Sequence, residues 1–486
     1  MGRDDLLDRI QQLERGARPL EPGASRRRRL RDAVVASSER FLRRIRNLKG
    51  FQETDDKGSG LLRSPIGRRG IPVEAAIELL EHDVVRPGGN PASAGYLAYI
   101  PGGGIYHAAL GDYFAAVTNK YAGVFFAGPG AVRMENMLLR WVADLAGYPA
   151  TTGGHIASGG SLATLAAIAA ARDAHGLKGA EFASTVVYLT SQAHHCIGKA
   201  LRLAGMAEAQ VRYVATDERF RMRPDALERA LAADRSQGLR PWLIIAAAGT
   251  TDTGAVDPLG PIAAIARREG CWFHVDAAYG GFFLLTDHGR RLLAGIEQSD
   301  STVLDPHKGM FLPYGSGIVL VRKADHLAAT HSYTGHYMQD ALREPGEVSP
   351  ADLSPELSKH FRALRMWLPL VLLGTEPFQA ALDEKLLLAR YFYREVGKIG
   401  FEVGPDPDLS IVTFRWAPAG VGLDRANEVN QTIVDGVRRD GRVFLSSTML
   451  DGRFTLRLAV LAFRTHRVTI DLALRVLREQ LALVVG

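Results

Sequence analysis

The sequence predicts an α/β protein with a central, mostly parallel sheet, a helical N-terminal segment and a small α+β domain at the C-terminus. Three observations support this fold class. The chain has 486 residues, more than the roughly 250–300 that a single hydrophobic core usually serves. From residue 185 onward, short apolar runs alternate with longer helical patterns, which is typical of parallel sheets with crossover helices. After residue 367 the alternation gives way to a long helical stretch, two strand-like runs and a terminal helix.

These changes of pattern divide the chain into three predicted regions. Residues 1–95 form the helical N-terminal segment, residues 96–372 the large α/β domain, and residues 373–486 the small domain. Gly/Pro-rich stretches at 86–90 and 101–104 are the expected breaks between elements.

The N-terminal segment carries most of the net positive charge. The whole chain has a formal charge of +6, and residues 1–50 contain 14 basic and seven acidic side chains. Apolar residues recur at helical spacing from Leu30 to Leu48 with arginines between them, as in an amphipathic helix with a solvated face. The alternative is a nucleic-acid patch around Arg26–Arg29. We favour the solvated face, because a charge run alone is a weak motif.

Six short runs rich in β-branched or aromatic residues predict the strands of the large domain. They are residues 185–189, 211–214, 242–246, 271–275, 302–304 and 318–321. In the small domain, residues 409–415 and 454–460 show a similar strand-like pattern.

Cysteine usage and hydropathy indicate the compartment. Cys196 and Cys271 are the only cysteines, which excludes a disulfide framework and fits a reducing environment. The first 20 residues lack the apolar core of a signal peptide, and no run approaches the roughly 18 apolar residues of a membrane span. We therefore expect a cytoplasmic protein, and we expect no zinc site because the cysteines lack ligand spacing.

A carboxylate and a lysine each follow a predicted strand. Asp276 directly follows the run 271–275, and Lys308 follows the run 302–304 in the sequence Asp305-Pro-His-Lys308. Carboxyl ends of parallel strands meet at the edge of the sheet where ligands bind. Taken alone, Asp276 could be a turn residue or a helix N-cap, which are common after strands, and a lysine after a strand is usually a surface residue. Together they suit pyridoxal-5′-phosphate (PLP), whose imine the lysine forms and whose pyridine nitrogen the acid keeps protonated.

Two further motifs belong to the same expected edge. Ser158-Gly-Gly-Ser161 precedes a helical run, so its glycines and the helix N-terminus can cradle a phosphate. The alternative is a capped turn with Ser161 as N-cap, and both interpretations can hold. His194 follows the first predicted strand, although a single histidine is ordinarily a core or surface residue.

At these motifs the sequence resembles the group II PLP-dependent amino acid decarboxylases, most closely the aromatic L-amino acid decarboxylases, from about residue 61 to residue 373. The resemblance implies fold type I, the aspartate aminotransferase-like fold of PLP-dependent transferases. It also implies a homodimer with active sites at the subunit interface, in which the N-terminal segment helps to form the dimer.

The resemblance assigns roles to individual residues. Lys308 is implied as the Schiff-base lysine and Asp276 as the partner of the pyridine nitrogen. His194 would stack on the cofactor ring, with Ala278 facing the other side. The remaining implied cofactor contacts are Gly160, Ser161, Thr251, Asp305 and His307.

The resemblance also bears on the reaction. Tyr337 lies in a sequence similar to the mobile loop whose tyrosine protonates the intermediate after CO2 leaves, which favours amine as the product. One alternative is a decarboxylation-dependent aldehyde synthase, since relatives of that kind tend to lose the loop tyrosine or the stacking histidine, whereas Tyr337 and His194 are both present. Another PLP lyase or aminotransferase on the same fold, and a PLP-binding scaffold or nucleic-acid partner, are further alternatives.

The substrate is expected to be an aromatic L-amino acid. The residues that suggest this, or that fall in the stretch lining the pocket of relatives, are Tyr99, Pro101, Gly102, Phe125, Phe126 and Ser358. Three positions depart from the family pattern: Asn90 stands where His is frequent, Asp305 where Asn is frequent, and Arg133 where an acid is frequent.

Overall fold

The computed structural model of the chain describes residues 2–332 and 347–485. Its N-terminal segment is helical, as predicted. The elements are α1 (Arg3–Ala17), α2 (Ala24–Arg44) and α3 (Val73–Leu80), with a short antiparallel pair of β1 (Phe51–Gln52) and β2 (Gly88–Gly89). The amphipathic pattern predicted from Leu30 onward lies mainly on α2, where Phe41 is half-buried. Val34 on the same helix is 52% exposed, so part of this apolar stripe is uncovered in the single chain.

A seven-stranded sheet forms the centre of the molecule. Its strands are β3 (Gly153–Ala157), β4 (Thr185–Leu189), β5 (Gln210–Tyr213), β6 (Arg240–Ala247), β7 (Trp272–Asp276), β8 (Ser301–Leu304) and β9 (Gly317–Val321), in the spatial order β3-β9-β8-β7-β6-β4-β5. β4 to β8 run parallel. The prediction of a mostly parallel sheet is confirmed.

β9 departs from the predicted alternation because it runs antiparallel to both of its neighbours, β8 and β3. A parallel connection needs a crossover of a dozen or more residues, usually with a full helix. Between β8 and β9 the only helix is the one-turn Pro306–Gly309, so the chain turns back instead of crossing over.

Helices cover both faces of the sheet. In chain order they are α4 (Tyr106–Thr118), α5 (Pro129–Leu145), α6 (Gly160–Ala174), α7 (Cys196–Leu203), α8 (Pro224–Ser236), α9 (Leu259–Glu269), α10 (Asp287–Leu292), α11 (Pro306–Gly309), α12 (Ala324–His331) and α13 (Ala363–Leu373). Along β4, Val186 and Tyr188 enter one apolar core, whereas Val187 and Leu189 enter a second core on the other side. Burial on both faces explains why these strands read as continuous apolar runs.

The C-terminal part of the chain forms a smaller antiparallel sheet with its own apolar core. Its elements are α14 (Glu376–Val396), β10 (Glu402–Val403), β11 (Ile411–Arg415), α15 (Leu423–Asp440), β12 (Ser446–Leu450), β13 (Arg453–Ala459) and α16 (Arg467–Val485), with the strand order β10-β11-β13-β12. The α+β composition predicted here is confirmed.

Arg457 of β13 links the small sheet to the turn that follows β6. Its side chain, 3% exposed, donates hydrogen bonds to the carbonyl oxygens of Asp252 (2.8 Å) and Thr251, and to that of Ala98 (3.2 Å). Asp408 adds a second link, because its carboxylate accepts the backbone N–H of Val256 at 3.0 Å. The 250–256 turn is therefore held from the C-terminal side.

Among the described residues, no helix has both the length and the apolar character needed to cross a bilayer.

Candidate active site

The carboxyl ends of four parallel strands, β4, β6, β7 and β8, open onto one cavity of about 340 Å³. Parallel strands place the residues that follow them at one edge of a sheet, where α/β proteins bind their ligands. All nine residues predicted to contact a cofactor line this cavity: Gly160, Ser161, His194, Thr251, Asp276, Ala278, Asp305, His307 and Lys308.

Lys308 reaches the cavity from α11, which begins directly after β8. Pro306 occupies the first turn, where a missing N–H does no harm, and Asp305 precedes it as N-cap without a side-chain capping bond. The Asp305 carboxylate is therefore free to contact the lysine one turn later, with Oδ2 2.8 Å from Lys308 Nζ. Burial alone would lower the pKa of the Lys308 amine, but Asp305, with Asp276 further away, raises that pKa above its ordinary value.

His307 lies beside the same carboxylate, with Nε2 3.7 Å from Asp305 Oδ2. Its Nδ1 is hydrogen-bonded to the carbonyl oxygen of Ser316. Burial lowers the pKa of this imidazole, which favours the neutral ring that donates from Nδ1 to the carbonyl.

Asp276 is the last residue of β7 and is half-buried. Its Oδ1 accepts the backbone N–H of Ala278 at 3.1 Å, so the turn interpretation holds for one of its oxygens. The carboxylate nevertheless lines the cavity, which leaves its other oxygen available to a ligand.

The Ser158–Ser161 motif forms the start of α6. The helix begins at Gly160 with Gly159 as N-cap, so the alternative in which Ser161 is the N-cap is wrong. Ser161 is the second helical residue, and the first N–H groups of a helix have no acceptor within it. A Cβ at Gly160 would lie only 3.0 Å from Asp305 Oδ2, which explains the need for glycine where the backbone meets the cavity.

His194 lies in the segment between β4 and α7. Its Nδ1 accepts the backbone N–H of Cys196 at 3.2 Å, and its ring centroid is 4.1 Å from that of His195. Burial lowers the pKa of His194, and His195 and Lys308 act in the same direction while Asp276 opposes them. A neutral, half-buried imidazole at the cavity wall suits packing against a flat ligand.

The predicted substrate residues lie outside this lining in the single chain. Gly102 contacts the backbone of α11, because its N–H donates to the carbonyl oxygen of His307 at 3.0 Å. Pro101 beside it is buried. Tyr99 packs against Phe444, and Phe125 and Ser358 are partly or fully exposed. Their roles stay predictions, and Tyr337 lies outside the described residues.

Several lining residues were not predicted. They are Leu162, Thr164, Gln192, Cys196, Ala247, Gly249, Thr250 and Tyr279, whereas Ser158 and Gly159, which also line the cavity, belong to the predicted phosphate motif. Gln192 and Cys196 flank His194, so their place in the same short segment was the available signal. Gln192 Oε1 is buried and has no hydrogen-bond partner within the described ranges, as expected for an acceptor reserved for a ligand.

The residues around the cavity fit PLP. A half-buried lysine and a carboxylate come from neighbouring strand ends, and the free N–H groups at the start of α6 suit a phosphate. Gln192 Oε1 and Asp305 Oδ1 are buried acceptors without partners among the residues described. An aldehyde, a pyridine nitrogen and a phosphate would each meet a complementary group here.

Comparison with known proteins agrees with this arrangement. Residues 84–417 match the family described as the pyridoxal-dependent decarboxylase conserved domain. An aromatic-L-amino-acid decarboxylase of Bacillus atrophaeus is 34% identical over 394 residues, covering 80% of this chain and 82% of the relative. A phenylacetaldehyde synthase of Arabidopsis thaliana is 29% identical over 402 residues, covering 80% of this chain and 82% of the relative. The solved structure of Oryza sativa TDC with PLP and tryptamine has a TM-score of 0.89 at 26% identity, covering 96% of this chain and 99% of that one.

Proposed function

This chain belongs to the pyridoxal-dependent decarboxylase family, and we propose that Lys308 holds the cofactor while the cavity around it takes an aromatic L-amino acid. The protein is a PLP-dependent carboxy-lyase of fold type I that removes CO2 from an L-amino acid. The observation that carries the assignment of roles is that Lys308, Asp276 and the start of α6 open onto one cavity.

PLP supplies an electron sink that accepts the bonding electrons released when CO2 leaves. Asp276 provides the negative charge that keeps the pyridine nitrogen protonated, and its bond to Ala278 fixes the carboxylate at the end of β7. The N–H groups of Gly160 and Ser161 would hold the phosphate. His194 would pack on the cofactor ring as a neutral imidazole.

Tyr337 is proposed to return a proton to Cα after CO2 has left. This role rests on the resemblance of its sequence to the mobile loop of relatives. Because the aldehyde-producing relatives tend to lose the tyrosine or the histidine and this chain retains Tyr337 and His194, amine is the proposed product. The likeness to a phenylacetaldehyde synthase makes the aldehyde route the alternative to test.

We also propose that the protein works as a cytoplasmic homodimer in which residues 1–95 contribute to the contact. α1 has no buried residue in the single chain, and α4 exposes Tyr113, Phe114 and Val117 by 60% or more. Exposed apolar faces of this kind are typical of protein interfaces. Residues 96–372 would form the PLP-binding domain and residues 373–486 the small domain.

Two measurements test the function. Borohydride reduction of the purified protein is expected to fix PLP on Lys308, as shown by peptide mapping; fixation on another lysine would contradict the proposal. Incubation with a panel of L-amino acids, with CO2, amine and peroxide measured together, is expected to give amine from an aromatic substrate. Turnover of glutamate or aspartate with none of tyrosine or tryptophan would refute the aromatic preference.

A further inference from the structure

Asp305 is an ionisable group that the proposed reaction does not yet use. It follows β8 directly, and its side chain is 3% exposed. Its Oδ2 is 2.8 Å from Lys308 Nζ, whereas its Oδ1 is buried without a partner within residues 2–332 and 347–485. A buried carboxylate is stable only when a charge or hydrogen-bond donor compensates it, and Lys308 is its closest cation.

The surrounding backbone holds this carboxylate in place. The Asp305 N–H donates to the carbonyl oxygen of Ala278 at 3.1 Å. A Cβ at Gly160 would lie 3.0 Å from Oδ2, and a Cβ at Gly317 would lie 2.7 Å from Oδ1. The carboxylate therefore occupies space that two glycines leave free, and it faces the lysine as a fixed charge.

Other ionisable groups face the Lys308 nitrogen from neighbouring elements. They are Asp276 at the end of β7, Cys196 and His194 around the start of α7, His307 on α11, and Tyr314 in the β8–β9 connection. Among these groups Asp276 is the other carboxylate, and its proposed partner is the pyridine nitrogen. Asp305 is the one in contact with the amine.

We propose that Asp305 is the counter-ion of the Lys308 nitrogen, keeping that nitrogen positively charged both as the free amine and as the Schiff base with the cofactor. This inference rests on the proposed function, because it takes Lys308 as the cofactor-bearing lysine. A carboxylate in contact favours the charged form of a nitrogen by Coulomb attraction and hydrogen bonding. An asparagine at this position would carry no charge and could not act in this way.

The test compares the loaded enzyme with its Asp305→Asn variant. The absorbance of a PLP Schiff base changes when its nitrogen loses the proton, so a pH titration gives the midpoint directly. We expect the midpoint to fall by roughly 1–3 pH units in Asp305→Asn, as for loss of an opposite charge in contact. Asp287→Asn removes a carboxylate whose side chain is 75% exposed outside the cavity, and is expected to leave the midpoint unchanged.

Borohydride mapping on the same samples separates the two levels of inference. If PLP is fixed on Lys308 and the midpoint of Asp305→Asn equals that of the parent, the counter-ion role is overturned while the proposed function stands. If PLP is fixed on a different lysine, the proposed function is overturned together with the role of Asp305.

A measurement on the unaltered protein covers the case in which the variant does not fold or load. The cofactor-free parent is labelled with an acylating reagent, and labelling of Lys308 is followed by mass spectrometry across pH. With Asp305 as counter-ion, the labelling rate should keep rising tenfold per pH unit up to about pH 9.5, as for a lysine with an ordinary or raised pKa. A plateau below pH 9 would mean that burial is uncompensated, and would overturn the proposal.

Discussion

Asp276 combines a structural contact with a proposed catalytic one. We predict that Asp276→Asn keeps the fold, because the amide oxygen can still accept the Ala278 N–H that now binds Oδ1. The neutral amide cannot balance a protonated pyridine nitrogen, and charge stabilisation of this kind is worth several kcal/mol. Turnover should fall by orders of magnitude, measured as kcat alongside the circular dichroism spectrum. A near-parental kcat would mean that Asp276 is only a turn residue.

Tyr337 governs the proposed choice between amine and aldehyde. We predict that Tyr337→Phe continues to release CO2 but makes less amine and more aldehyde, ammonia and peroxide. The phenyl ring has no proton to give to Cα, so protonation would be slower and reaction with oxygen would compete. The measurement is the amine-to-aldehyde ratio under air and under nitrogen. If the amine-to-aldehyde ratio and the rate of CO2 release are both unchanged, the proton donor must be another residue or water.

Strand β7 contains a buried histidine, His274, that makes the folding stability of the protein depend on pH. His274 is 1% exposed, its Nδ1 is 2.8 Å from Ser301 Oγ, and burial lowers its pKa to about 4. The unfolded chain takes up this proton near pH 6.5, so folding loses stability as the pH falls from 6.5 toward 4.

The size of this effect is measurable by denaturant unfolding. Between pH 7 and pH 5, His274 should reduce the free energy of unfolding by about 2 kcal/mol. The variant His274→Asn loses some packing at every pH. The difference between its free energies of unfolding at pH 7 and pH 5 should nevertheless be smaller than that of the parent by about 2 kcal/mol. An unchanged difference would contradict the buried neutral histidine.

The strands also show what sequence could predict. β4 and β6 to β8 were recognisable because burial on both faces requires continuous apolar runs, and the residues after them were correctly expected to meet. β3 begins with Gly153 and Gly154, which carry no strand signal, so it was not predicted. The antiparallel direction of β9 depends on the short connection between β8 and β9, and the residues of β9 themselves carry no signal for it.

Contacts between distant parts of the chain left no pattern to predict. Arg457 reaches Thr251 only because two sheets meet. By contrast, the 2.8 Å contact of Asp305 with Lys308 is local, because the two residues are three apart at the start of α11. The substrate residues were expected from resemblance alone, and they lie outside the cavity lining of a single chain.

For the whole molecule, the proposed dimer predicts an effect of surface charge on α4. Phe114 is 60% exposed in the single chain, and Phe114→Asp should shift the protein from dimer toward monomer because a carboxylate would be buried at the contact. Analytical ultracentrifugation measures the outcome. Leu483→Asp, at a 77% exposed position on α16, serves as the control that should stay dimeric. If both variants sediment as dimers, α4 is excluded from the interface.

The hydrogen bonds from Arg457 to the 250–256 turn join a late part of the chain to the proposed site. Translation adds roughly 5–20 residues per second, so Arg457 is made roughly 7–30 s after Lys308. During that interval the nascent chain already contains the lysine and both carboxylates, but the turn bearing Thr251 lacks its anchor on β13. The proposed site therefore gains its full set of backbone contacts only after the chain has been synthesised through β13.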